Sequence, residues 1–385
     1  MPPTVFLLRL MLVGAVFYGY VGLRLIPDLP VGSVGRWASG VSLGVLCVLS
    51  VAGILIRRID LQQGLSDALA WVGFLAMGFT SSLFVLTVLR DVMMIFLGLI
   101  SLWVNGMAPM MTIAAVSAIA VPVLALLATL VGLINARRCA QVVTVHVPIA
   151  DLPTQMHGFR IVQISDLHVG PTIKRKYVDA IVEAVNALKP DMIAITGDVV
   201  DGSVAQLRRH TEPLRRLSAQ HGVYLVTGNH EYYAGVTEWV AEFRRLGLCV
   251  LMNEHVVLEH QGVGAIVAGV TDYGGETFEP SHRSDPFAAI AGAPLDVAVK
   301  ILLAHQPRTA PAAVAAGYCL QLSGHTHGGQ FLPWNFFVRL QQPFVAGLHR
   351  VNNMWIYISR GTGYWGPPKR LGAPSEITEL ILMTR

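Results

Sequence analysis

The sequence predicts two parts of unlike class: an N-terminal α-helical transmembrane domain of about four spans, then an α/β domain of strands joined by crossover helices. Three observations predict it. Residues 1–136 contain no Lys, no Glu and no His, whereas all 13 histidines lie at His146 or beyond. Mean hydropathy is +0.55 and only 14% of residues are charged, too apolar for a chain wholly in water. From about Gln141 the long apolar runs give way to short β-rich runs alternating with amphipathic segments. The expected division is 1–138 for the membrane domain and 139–385 for the second domain.

Val5–Ile26, Ala38–Ile56 and Ala68–Leu89 each approach the roughly 20 residues a helical span needs. A fourth run, Ala108–Asn135, is longer and is expected to tilt or to extend past the lipid. Several such runs in succession argue against buried helices of a soluble protein. Arg90-Asp91 interrupts the pattern, and Val92–Trp103 after it is short for a span, so it reads as a continuation of the third helix or a re-entrant piece. With four spans, Arg57-Arg58 and Arg137-Arg138 fall on the cytoplasmic side, opposed by Arg24 and Arg36. The expected location is therefore multi-pass in the cell's inner (plasma) membrane, with the second domain cytoplasmic. No twin-arginine leader or small-residue cleavage site follows a short apolar core, so no removed export signal is expected. Cys47, Cys139, Cys249 and Cys319 show no paired spacing.

In the second domain Phe159–Ser165 is a β-rich run. Lys174–Leu188 follows with Tyr177, Ile181, Ala184, Val185 and Leu188 at helical spacing, until Pro190. Asp191–Thr196 is the next strand, Val204–Ser218 the next helix and Val223–Thr227 the third strand, a β-α-β-α-β pattern. Later strands are expected at Ala265–Val270, Lys300–Ala304, Tyr318–Leu322, Met354–Ser359 and Ile377–Met383.

Polar residues collect where these strands end: Asp166-Leu-His168, Gly197-Asp198-Val-Val-Asp201, Gly228-Asn229-His230-Glu231, His305, and Gly324-His325-Thr-His327. Ligand sites of open α/β sheets form at the carboxyl ends of strands. Each piece alone reads as an ordinary turn, but five in one order do not. Oxygen and imidazole donors without thiolate favour Mn, Fe, Zn or Mg. There are more donors than one ion needs, so two divalent ions sharing a carboxylate are expected. Two ions roughly 3.5–4 Å apart clamp a phosphoryl group and acidify the water between them. The resulting hydroxide attacks phosphorus in line, and an acid serves the leaving group.

Together these motifs resemble the calcineurin-like metallophosphoesterase superfamily. The tail, Ser359-Arg-Gly-Thr-Gly-Tyr through Pro374-Ser-Glu-Ile-Thr, resembles its membrane-associated branch, the YkuE/YaeI-like phosphodiesterases. The resemblance covers roughly residues 141–385 and implies a four-layer α/β/β/α sandwich with a dimetal site at the sheet tops. It implies Asp166, His168 and His327 on one metal, Asn229, His305 and His325 on the other, and Asp198 bridging. It further implies His230 as the non-ligand acid, Asp201 as the carboxylate that orients it, and Glu231 as a support, while Gln330 stays open between structural and substrate-binding roles. One departure matters: the phosphoprotein phosphatase branch has Asp-Arg-Gly where this chain has Asp201-Gly202-Ser203, which disfavours a protein phosphatase.

The leading expectation is a membrane-anchored, metal-dependent phosphoric ester hydrolase acting on a phosphodiester or pyrophosphate of a lipid-linked substrate. Beyond residue 136 basic residues barely outnumber acidic ones, so no nucleic-acid partner is expected. The partners expected are the bilayer and the phosphoester itself. One alternative is a tethered hydrolase of a soluble nucleotide or cyclic phosphodiester. Another is a non-enzymatic sensory or transport protein with a regulatory metal-binding cap. Against the latter, the spans hold few ionisable residues (Arg9, Arg24 and Arg90-Asp91) and no ligand is missing. The segment Phe331–Arg339 is apolar and aromatic. If exposed, it would enter the membrane interface and admit an acyl chain.

Overall fold

The computed structural model describes residues 3–56, 61–103, 110–294 and 296–385, with side chains from Met11 onward. The chain divides into two compact units: Met1–Ile134 with Gly366–Lys369, and Asn135–Trp365 with Arg370–Arg385.

Four long helices build the first unit: α1 (Pro3–Leu25), α2 (Ser33–Leu55), α3 (Gln63–Ser101) and α4 (Met110–Arg137). All four are long and apolar enough to cross a membrane. Val92–Ser101 continues α3, so the re-entrant option falls away. At 39 residues α3 is about 58 Å long, well beyond the hydrocarbon thickness. The charges that interrupt its pattern are paired, as charges in an apolar setting must be. Arg24 Nε donates to Asp91 Oδ2 at 2.7 Å, and the Tyr20 hydroxyl donates to the same oxygen at 2.6 Å. Arg90 pairs with Asp28 and donates to Ser117 Oγ at 2.9 Å. Helices α2 and α3 cross at Gly53 and Gly73, where a Cβ on Gly53 would stand 2.8 Å from the Gly73 Cα. Only residues without a side chain let two helix backbones approach so closely. The Arg57-Arg58 pair that supports the orientation lies outside the described residues.

The second unit contains twelve strands among the described residues: β1 (Gln141–Ile149), β2 (Arg160–Ile164), β3 (Met192–Thr196), β4 (Val223–Val226), β5 (Cys249–Val250), β6 (Glu254–His260), β7 (Val263–Gly269), β8 (Val299–Leu303), β9 (Leu320–Ser323), β10 (Gly347–Val351), β11 (Met354–Ile358) and β12 (Glu376–Thr384). They form two six-stranded mixed sheets, ordered β1-β12-β2-β3-β4-β5 and β10-β11-β9-β8-β7-β6. Side chains alternate between sheet faces with period two. Ile161, Met192, Ala194, Tyr224 and Val226 therefore face the second sheet and meet Val267, Ile301, Leu303 and Leu322 in a shared core. Val162, Ile164, Ile193, Ile195, Val223 and Leu225 face the other way, onto α5 (Arg175–Ala187), α6 (Val204–Thr211) and α8 (Val236–Arg245). The outer face of the second sheet packs on α9 (Pro286–Ile290) and α10 (Ala310–Ala315). The layers are thus helix, sheet, sheet, helix. The helix expected over Val204–Ser218 stops at Thr211, and a 3-10 turn over Glu212–Arg216 replaces its last turns, because Pro213 cannot continue an α-helix.

Candidate metal centre

The central strands β2, β3 and β4 run parallel, as do β7, β8 and β9, so within each sheet their carboxyl ends share one edge. Asp166, Asp198, His305 and His325 each stand two residues beyond the end of their strand, β2, β3, β8 and β9 respectively. Asn229 and His230 open the short helix α7 (Asn229–Ala234) after β4. Asp166, His168, Asp198, His325 and His327 all have positive φ, between 51° and 71°. Asp and His tolerate this region better than most residues. Five such residues at one edge are nonetheless a concentration of strain of the kind found at functional sites. Backbone bonds hold the loops in place: Asp166 N to Gly197 O at 3.0 Å, His168 N to Asp198 O at 3.1 Å, and Gly324 N to His305 O at 2.9 Å. Buried Glu231 accepts from the amides of Gly228, Asp198, Val199 and Val200 at 2.7–3.2 Å, which is the supporting place expected for it. Gly228 is required there, since a Cβ would stand 2.2 Å from Asp198 Oδ1.

Two trios of donor atoms converge. In the first, His168 Nε2 lies 3.0 Å from His327 Nε2, and Asp166 Oδ1 lies 3.4 Å from that same His327 nitrogen. In the second, His305 Nε2 lies 3.2 Å from both Asp198 Oδ2 and His325 Nδ1. Within each trio the donors lie within 4.8 Å of one another, and Asp198 also belongs to a further cluster with His168 and His230. His168 Nε2 is 3.8 Å from Asp198 Oδ2, so Asp198 stands between the two trios. Facing ring nitrogens and a buried Asn229 Oδ1 without a hydrogen-bond partner are what lone pairs aimed at a cation leave behind. The oxygen and nitrogen donors fit divalent ions of the Mn, Fe, Zn or Mg class; six of the seven residues expected as ligands fall in these clusters, and Asn229 opens α7 between Gly228 and His230.

The surroundings fix the rings. His305 Nδ1 bonds to Thr196 O at 2.7 Å and His168 Nδ1 to Asp201 Oδ1 at 3.0 Å, which turns each Nε2 inward. Burial, reinforced by His305, lowers His325 to a pKa of about 3, and burial with the neighbouring His168 and Arg370 charges holds His327 well below the usual range. Both rings are therefore neutral, as ligation requires. Burial would raise Asp198, but the His305 and His230 charges hold it well below the usual carboxylate range.

His230 stands at the rim with 15% of its side chain exposed, and its Nδ1 is 2.6 Å from Asp201 Oδ1. Burial alone would lower its pKa, but Asp198 and Asp201 outweigh that and raise it to about 9. Gln330 accepts from the Trp365 amide at 2.9 Å and donates to its carbonyl at 2.8 Å, which pins the loop carrying Trp365. Sequence reasoning missed Ser165, whose hydroxyl donates to Asp166 Oδ2 at 2.5 Å, and Arg370, which donates to His327 O at 3.0 Å and lies 3.1 Å from His327 Nδ1. A Lys369-Arg370 pair between Pro368 and Gly372 reads as solvated loop charge, so no local signal marks Arg370.

Comparison with known families matches residues 159–329 to the calcineurin-like phosphoesterase model. A transmembrane protein with metallophosphoesterase domain from Danio rerio is 39% identical over 272 residues, 68% of this chain and 62% of that protein. The match thus spans under two thirds of that relative's length. An uncharacterized metallophosphoesterase of Campylobacter jejuni is 32% identical over 343 residues, 88% of this chain and 87% of that protein. The uncharacterized metallophosphoesterase YkuE of Bacillus subtilis is 30% identical over 248 residues, 60% of this chain and 81% of that protein.

Proposed function

Because the chain belongs to the calcineurin-like phosphoesterase family and carries four helices long and apolar enough to cross a membrane, we propose that it is a metal-dependent phosphoesterase that hydrolyses a phosphodiester or pyrophosphate bond of a lipid-linked substrate at the membrane. The observation that carries this reading is the meeting of the two donor trios at Asp198, with His230 on their open side. We assign Asp166, His168 and His327 to one ion, Asn229, His305 and His325 to the other, and Asp198 to both. When bound, the ions supply Lewis acidity to the phosphoryl oxygens and acidify water.

The chain's own residues do the rest. His230 holds a proton on its ring beside the site and delivers it to the leaving oxygen. Asp201 keeps that ring charged and oriented. Arg370 and Ser165 hold His327 and Asp166 in register. For the lipid-linked substrate the support is the four apolar helices together with the Phe331–Arg339 segment, where Phe336 is 72% exposed. Leu340, just beyond it, is 81% exposed. Phe331 itself is buried, while Leu332, Phe336 and Phe337 are exposed and offer the apolar surface. We place the second unit on the cytoplasmic side, following the basic residues of the short loops.

The test is hydrolysis of bis(p-nitrophenyl) phosphate and p-nitrophenyl phosphate by metal-stripped protein in detergent, with Mn, Zn, Fe or Mg restored singly. Metal-dependent diester cleavage, abolished in Asp198→Ala, is expected. A folded protein that turns over neither ester with any metal refutes the reading. Equal kcat/KM for matched lipid and water-soluble diesters would remove the lipid-linked substrate and leave a tethered hydrolase of soluble esters.

A further inference from the structure

Beside His230 lie two aromatic side chains, with a third behind one of them, that neither the donor trios nor the sheet cores use. The Tyr233 ring is 5.2 Å from the His230 ring at 63°, and the Trp365 ring is 6.0 Å from it at 74°. Phe278 extends the group, 5.7 Å from Tyr233. Tyr233 is 65% exposed and Trp365 52%, with Phe278 exposed as well. Single exposed aromatics need no explanation, but rings chained together at one functional group form a patch, and such patches mark binding sites.

Their positions are fixed. Tyr233 is on α7, the helix that also carries Asn229 and His230. The backbone of Trp365 is clasped on both sides by the Gln330 amide, at 2.8 and 2.9 Å. With the backbone fixed this way, a ligand has only the side-chain rotation of each ring left to order, which lowers the cost of binding.

We infer that Tyr233 and Trp365, extended by Phe278, are specificity-determining residues that bind the leaving group, and that this group carries an apolar body, aryl or alkyl, directly beside the ester oxygen. The assignment to the leaving-group side follows from His230, which donates its proton to that oxygen and touches both rings. It rests on the phosphoesterase reading above and adds the chemistry of one half of the substrate. A hydroxyl-rich sugar or glycerol at this place would bring little apolar surface of its own out of water, whereas an apolar body removes both its own surface and that of the rings from water.

The experiment measures calorimetric affinities of methyl-, butyl- and phenylphosphonate for the full chain in detergent, reloaded with manganese. Phenyl- or butylphosphonate is expected to bind roughly five- to tenfold more tightly than methylphosphonate, the gain usual for an aromatic contact. A phenyl advantage over butyl assigns it to ring stacking, and equality assigns it to apolar area. In Trp365→Ala and in Tyr233→Ala the ratio to methylphosphonate should fall toward one, while Trp365→Phe, which keeps a ring in place, should retain most of it. A wild-type ratio near one overturns the inference, as does a ratio that survives both alanine substitutions. Absence of metal-dependent binding by all three phosphonates overturns the phosphoesterase reading and this inference with it, a pattern distinct from three equal affinities.

Discussion

One oxygen of Asp201 meets two imidazoles, His168 at 3.0 Å and His230 at 2.6 Å, so a single carboxylate orients a candidate ligand and the candidate acid together. Asp201→Asn keeps the shape and removes the charge that raises His230. The His230 pKa then falls, and the alkaline limb of the rate profile moves to lower pH, because the acid form is lost earlier as pH rises. A limb that stays in place would show that Asp201 does not act through His230. His230→Ala should lower kcat by about 10²–10⁴-fold for an alkyl leaving group and much less for p-nitrophenol, which departs without a proton. Steady-state rates on the two esters check this. At this scale the sequence was informative wherever a residue stood beside a strand end. Asp166, Asp198 and His305 are legible because an apolar run stops and a donor follows. Arg370 reaches His327 from 43 positions away in the chain, and only tertiary structure makes that contact.

Among the elements, legibility followed burial. The strands anticipated from sequence, β2, β3, β4, β7, β8, β9, β11 and β12, are the inner strands, apolar because both faces are covered. Those not anticipated, β1, β5, β6 and β10, are the four sheet edges. Glu254-His-Val-Val-Leu-Glu-His260 shows why: the charged and polar residues that keep an edge from pairing with other chains also hide its periodicity. The two sheets share a polar stitch beneath the site, where Gln163 Nε2 donates to Ser323 O at 2.9 Å and to Thr196 Oγ1 at 2.8 Å. Gln163→Leu fills the same space but takes the donor from the Thr196 hydroxyl and the second donor from Ser323 O, which keeps only the Ser359 amide at 2.8 Å, and should cost about 1–3 kcal/mol in denaturant unfolding. Trp239 of α8 is fully buried, stacks on Phe243 at 5.3 Å and donates to Gly202 O at 2.9 Å, next to Asp201. Trp239→Ala should cost about 3–5 kcal/mol. A loss below about 1 kcal/mol in the same assay would mean that the helix is not part of the cooperative core.

For the whole molecule, the break between the long apolar helices and the α/β unit was readable from the distribution of histidine and lysine. Its orientation can be checked on the exposed thiols of Cys139 and Cys249. In sealed vesicles with the cytoplasmic face inside, an impermeant maleimide should modify neither until the membrane is opened, and immediate labelling would reverse the assigned topology.

Asp166, His168, Asp198 and Asn229 rise from the first sheet, while His305, His325 and His327 rise from the second. The interval between the sheets is therefore a calliper, and the apolar residues that fill it set how far its jaws stand apart. Ala194, small and fully buried on the inner face of β3, lies four residues before Asp198. Replacing it with leucine would wedge the jaws open at a stability cost of about 1–3 kcal/mol. In protein loaded with two manganese ions, the electron-spin exchange between them should weaken as their separation grows, although residue 194 touches neither. Metal preference in this chain would then be inherited from its hydrophobic filling, and it could drift through substitutions that leave every candidate ligand in place.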